Sequence, residues 1–153
     1  MTTLAQRIKN DPRKYFLMAL TSPVIYGLIV PFVIADVCGT VYQALCFPVY
    51  GIPKVRRRDY VLMDRGKLAY LTPFQKLNCI YCEYANGVIA YVGEITARTE
   101  WFWCPIKHER DVKYPHDHYP EFLAHGDADN FRAKLREVRK KCRACEAGCR
   151  TRA

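Results

Sequence analysis

From Val24 to Phe47 the chain reads VIYGLIVPFVIADVCGTVYQALCF, a run of 24 residues in which Asp36 is the sole ionisable side chain. At a helical rise of 1.5 Å per residue this run reaches about 36 Å, enough to cross a hydrocarbon core of about 30 Å with some tilt. A chain of 153 residues can hardly surround so apolar a helix on all sides, so the run predicts membrane attachment. Tyr26 and Tyr50 suit the interfaces, and Lys54, Arg56, Arg57 and Arg58 follow directly. Pro23 and Pro31 bend the axis and leave two geometries open. One is a kinked single span; the other is a re-entrant or monotopic helix that returns to the same face. The apolar stretch is too long for the core of a cleaved signal peptide and has no small-x-small cleavage site.

Both flanks are basic: Arg7, Lys9, Arg13 and Lys14 precede the run, and six more Lys or Arg stand between Lys54 and Lys67. The heavier count after the run puts the C-terminal portion of a spanning chain in the cytoplasm, whereas re-entry leaves both ends there. Inserting Asp36 as a charge costs about 2.5–3.5 kcal/mol on the translocon scale, so it calls for a partner. The choices are a hydroxyl such as Thr40, or a protein partner or second copy facing a stripe of Asp36, Gly39, Thr40 and Gln43. The net charge of +9 suits anionic lipid or nucleic acid. No nucleic-acid-binding signature accompanies the triple arginine, so Arg56, Arg57 and Arg58 read as contacts to an anionic lipid surface, each contributing about 1 kcal/mol.

Pro48, Gly51 and Pro53 stop the apolar helix. Beyond them DYVLMDRGKLAYL has the alternation of a short hairpin, with its turn near Asp64–Gly66. Thr72-Pro73 then resembles an N-cap followed by a proline at the first helical position, opening a helix over 74–103. Leu77, Tyr81, Tyr84, Val88, Val92 and Ile95 form its apolar stripe. On the adjoining face lie Cys79, Cys82, Glu83, Asn86, Glu94, Glu100, Cys104 and His108.

The spacings C-x2-C (Cys79, Cys82) and C-x3-H (Cys104, His108) suit a tetrahedral structural zinc site. Cys79 and Cys104 are 25 positions apart, about 37 Å along a straight helix, whereas zinc ligands lie about 2–2.3 Å from the metal. Such a site requires a fold-back, at Asn86-Gly87 or at Pro105. His116, His118 and His125 are alternatives to His108. The competing readings are cysteines packed as small hydrophobes, or a redox pair at Cys79 and Cys82.

The blocks CFPVYGIPKVRRRDY, LNCIYCEYANGVIAYVGEI and RTEWFWCPIKH resemble a family of small, uncharacterised bacterial membrane proteins, over roughly residues 20–130. The resemblance implies a membrane-anchored architecture and carries no activity. The cysteine-rich tail lies outside it. That tail begins with a cap at Asp127 or Asp129 and runs as a helix to about Ala147. Phe131, Leu135, Val138, Cys142, Cys145 and Cys149 continue one stripe, as packed hydrophobes or as partial metal ligands. Its basic surface suits lipid or an acidic partner.

The sequence thus predicts a mainly α, membrane-anchored chain with one kinked transmembrane or re-entrant helix and a small helical Cys/His domain. Its parts are a basic interfacial segment (1–23), the membrane helix (24–47), a basic juxtamembrane linker (48–73), the Cys/His domain (74–125) and a basic amphipathic helix (126–153). The expected role is an accessory or scaffold protein organised by zinc, on the cytoplasmic face of a bacterial inner membrane. The alternative is a membrane-bound redox or metal-handling protein that uses reactive cysteines. Catalysis by Glu83, Glu94 or Glu100 with His108 has neither a nucleophile–base pair nor a phosphate loop behind it.

Overall fold

The computed structural model describes residues 11–144, Tyr15 by its backbone alone. Helix α1 spans Pro12–Gly27 and helix α2 Ile29–Tyr50. The helical rod therefore starts well before the apolar run does. Asp11 caps α1 by accepting from the Lys14 amide at 3.2 Å, and Pro12 suits the first turn. The two helices are separated only at Leu28, where the ladder loosens to bonds of 3.3 Å (Leu28 N–H to Ile25 O) and 3.4 Å (Phe32 N–H to Leu28 O). Pro31 explains the break: lacking an N–H, it gives the Gly27 carbonyl no partner four residues back. The Tyr81 hydroxyl donates to the Ile25 carbonyl at 2.6 Å just beside this break. Gly51, at φ 71°, ends α2 in a left-handed cap, with the Ile52 amide returning to the Phe47 carbonyl at 2.9 Å.

Helix α3 spans Pro73–Trp103 without interruption, so Asn86-Gly87 is not a hinge. Its start carries the expected cap in full: Thr72 Oγ1 accepts from the Gln75 amide, and the Gln75 side chain accepts from the Thr72 amide. Helix α3 runs parallel to α1–α2. Tyr26 donates to Asn78, Tyr84 to Asp36 at 3.0 Å, Thr40 and Tyr91 hydroxyls meet at 3.2 Å, and Tyr50 stacks edge-on against Trp103. The later residue of α2 thus meets the later residue of α3 throughout.

A parallel pair requires the connection to travel back along its whole length. Residues 51–72 do so as a return segment laid along the groove between α2 and α3. Val55 exchanges both backbone bonds with the Gln43 side chain, at 2.9 and 3.2 Å. Further along, Arg57 reaches Asp36, the Tyr60–Val61 backbone lies on Gly87, and the Arg65 amide donates to Glu83. A Cβ on Gly87 would stand 2.8 Å from Val61 Cα and 2.9 Å from the Tyr60 carbonyl, so the close approach requires glycine. The hairpin expected around Asp64–Gly66 does not form. In its place are two 3-10 turns, Arg57–Asp59 and Arg65–Lys67, closed by local bonds such as Tyr60 N–H to Arg57 O and Leu68 N–H to Arg65 O, while the Val55 backbone and the Arg65 amide are held by Gln43 and Glu83.

The core sits where the ends of α2 and α3 meet the rest of the chain. Phe47, Tyr91, Ile95, Phe102, Phe122, Val138 and Cys142 are buried there, with Ile52 and Val55 from the return segment. Helix α4, Ala128–Ala144, closes this end. Arg139 lies over the Phe102 ring at 5.0 Å and donates to the Phe102 carbonyl at 3.3 Å. Between α3 and α4, Ile106 and Leu123 meet in one isolated parallel bridge, the only β pairing among the described residues.

Candidate functional site

The stripe read on α2 is real, and what it faces is the chain's own α3. Asp36 and Gln43 are buried, and a Cβ on Gly39 would lie 3.2 Å from Val92 Cγ2. Asp36 is matched by Arg57 in a two-pronged pair, with Nη2 to Oδ2 at 2.6 Å and Nε to Oδ1 at 2.9 Å, and by the Tyr84 hydroxyl. Thr40 is not its partner; that hydroxyl pairs with Tyr91. The Gln43 amide also donates to Tyr91, so one buried tyrosine gathers two α2 side chains. These bonds make a polar seam behind an apolar helix, and every buried polar group in it has a partner.

The opposite face of the rod is apolar and bare. Among the described residues, Leu20, Val24, Leu28, Ile34, Val37, Val41, Leu45 and Val49 follow one another along it, Val24 72% and Val49 77% exposed. Phe16, Leu17 and Met18 extend the exposed surface around α1. The helical rod Pro12–Tyr50 is long and apolar enough to cross a membrane by length and composition.

Of the triple arginine, Arg57 is committed to Asp36. Arg58 is largely exposed and only 4.0 Å from Asp59, and Arg56 is exposed. Seven-residue spacing joins Asp36 to Gln43 in the sequence, but no local pattern points from Asp36 to Arg57, 21 positions on.

The residues expected at zinc are not brought together. Cys79 and Cys82 occupy the first third of the unbroken α3, Cys82 exposed; Cys104 follows its far end, also exposed. About 37 Å of helix separates Cys79 from Cys104. His108 lies beyond, its amide held by the Tyr119 hydroxyl at 2.9 Å and its ring stacked on Tyr119. After Pro105 the chain does fold back along α3, but His116 and His118 reach only Glu100 and Glu94, well short of Cys79. Among the described residues no three His, Cys, Asp or Glu side chains gather as a metal site. Cys142 is packed in the core, where burial pushes its thiol pKa up. Cys145 and Cys149 lie outside the described residues.

Of the other histidines, His125 is exposed, while His116 and His118 pack against α3. His118 is buried, stacked on Trp101 with centroids 4.6 Å apart, its Nε2 3.4 Å from Glu94. His116 meets Glu100 at 3.1 Å. Glu94 also takes Arg98 Nε at 2.6 Å, and Arg98 donates onward to the Pro53 carbonyl at 2.8 Å. Burial of Glu94 disfavours its charge, but the His118 and Arg98 bonds outweigh that and hold its pKa below the usual glutamate value. This network ties the return segment and the 104–127 loop to α3. Glu83 is similarly buried, its Oε1 accepting from the Arg65 amide at 2.9 Å. These are joints between segments, with no nucleophile beside a base. Set against known families, curated proteins and solved structures, the chain matches none.

Proposed function

We propose that this chain is a membrane-anchored scaffold, in which an apolar helical rod holds a small helical domain at an anionic bilayer surface. One observation carries the reading: the bare apolar face that runs the length of α1 and α2. Fourteen large apolar side chains between Phe16 and Val49 are substantially exposed. Together they offer on the order of 1,000 Å², well above the few hundred Å² that a soluble monomer ordinarily leaves in one patch. At about 25 cal/mol/Å² its burial in acyl chains is worth roughly 25 kcal/mol before ordering costs. The net charge of +9 adds attraction to acidic headgroups such as those of a cytoplasmic leaflet.

The domain behind the rod is built from joints rather than reactive groups, which favours holding a partner over transforming a substrate. Zinc has no part in this reading, since the four expected ligands are strung along α3 and past its end. The test is flotation of the purified full-length chain with vesicles of anionic phospholipid, followed by carbonate washing. The chain should float and resist carbonate. Recovery as a soluble monomer that ignores vesicles would refute the proposal.

A further inference from the structure

We propose that the α1–α2 rod enters the bilayer from one side without crossing it, so that both ends of the chain stay on that side. This rests on the membrane reading above and specifies its topology. The position of the return segment decides this. Tyr81 reaches the Ile25 carbonyl and Tyr84 reaches Asp36, so residues 81–84 of α3 are level with the middle of the apolar run. The Arg65 amide bonds to Glu83 at that same level, and Gly66 packs against Ile80 one turn further back. From Lys54 to Lys67 the return segment carries six basic and two acidic side chains, and it passes along the rod from Gln43 back to the level of Ile25.

A rod standing across the membrane would carry those charges with it into the hydrocarbon. Only the part of α1 before Val24 extends beyond the return segment, and the ten residues from Tyr15 reach about 15 Å, half of a core about 30 Å thick. The fold is therefore too heavily charged along its flank to span. Turned on its side it fits without change. The bare face of Val24, Val37, Val41 and Leu45 meets acyl chains. The opposite, charged flank stays among headgroups and water, where its net positive charge matches anionic lipid. Break and caps need no rearrangement for this, and the polar seam remains sealed between protein surfaces.

The experiment is a two-ended protection assay on the full chain, with a short epitope added before Met1 and another after Ala153. Sealed inside-out vesicles and right-side-out spheroplasts of an expressing bacterium are treated with a protease that cannot cross membranes. Both epitopes should be cut in one preparation and both protected in the other. One epitope cut in each preparation would overturn the one-sided topology while leaving membrane attachment intact. Absence of the chain from the washed membranes would instead refute the attachment on which this inference depends.

Discussion

Two glycines on one helix should respond differently to the same substitution. Gly87 and Gly93 both lie inside α3, where replacing glycine by alanine stabilises a helix by about 1 kcal/mol. At Gly93 nothing lies within 4 Å of the added Cβ, so that gain should be kept. At Gly87 the Cβ would meet Val61 Cα at 2.8 Å and the Tyr60 carbonyl at 2.9 Å. Both are backbone atoms, and ordinary carbon contacts begin near about 3.5 Å, so the return segment must shift by roughly 0.6 Å. It is held on either side by the Arg57–Asp36 pair and the Arg65–Glu83 bond, which limits that shift. Overpacking of this kind costs about 1–3 kcal/mol, which cancels or exceeds the helical gain. Because the helix contribution is common to both, the two variants should differ by about that cost, at about 2–4 °C per kcal/mol. The assay is thermal unfolding of Gly87→Ala and Gly93→Ala by circular dichroism in one detergent. Trypsin cleavage between Lys54 and Lys67 provides a second readout, since a displaced return segment offers its basic residues sooner. If Gly87→Ala raises the melting temperature as much as Gly93→Ala and leaves cleavage unchanged, the packing of residues 60 and 61 on α3 is wrong.

The Asp36–Arg57 pair should be asymmetric to mutation. Asp36 has an 11% exposed side chain and Arg57 one that is 44% exposed, so Arg57→Gln strands a carboxylate, whereas Asp36→Asn frees an arginine that can turn to water. Arg57→Gln should cost about 1.5–3 kcal/mol and Asp36→Asn less, and chemical denaturation showing the reverse order would reject the assignment. The lowered pKa of Glu94 fixes a pH dependence: its stabilisation is complete above the ordinary glutamate value of about 4.3 and is lost as pH falls through the lower folded value. Melting temperatures of the wild type and Glu94→Gln should therefore converge in acid, and a constant gap down to the lowest pH would count against the network. Because Cys82 and Cys104 share no neighbours, Ser variants there should have additive effects within about 0.5 kcal/mol. Strong coupling between them, with stoichiometric zinc in the wild type, would restore the split metal site. Native alkylation should label both of those exposed thiols well before buried Cys142.

Local signals in this chain were legible. Thr72-Pro73 marks the start of α3 because a cap and a fixed φ act on neighbouring residues alone, and Gly51 marks the end of α2 for the same reason, whereas Pro48, expected to stop that helix, lies inside it. The polar stripe of Asp36, Gly39 and Gln43 was also readable, since helical spacing puts those residues on one side. What faces them was not. Arg57 looked like one of three equal arginines, and only the parallel course of α3 brings the connection back to Asp36. The hairpin failed on the same account: alternation can suggest a strand but cannot tell that the segment will press against Gly87 and give its Arg65 amide to Glu83. The cysteine spacings carried the opposite trap. Two of the expected ligands share a face of α3, yet an unbroken helix keeps that group far from Cys104 and His108, and no residue between them forces a bend.

The parallel course also sets an order of events during synthesis. Asp36 leaves the ribosome before anything that buries it: Arg57 follows 21 positions later and Tyr84 48 positions later. At about 5–20 residues per second, the carboxylate waits about 1–4 s for its arginine and longer for its tyrosine. Throughout that interval α1 and α2 have neither cover on the polar side nor neighbours on the apolar one. An interface that accepts the apolar side while leaving the other in water offers the nascent rod a place to wait. The return segment and α3 can then be laid onto it from the aqueous side, in the order in which they are made.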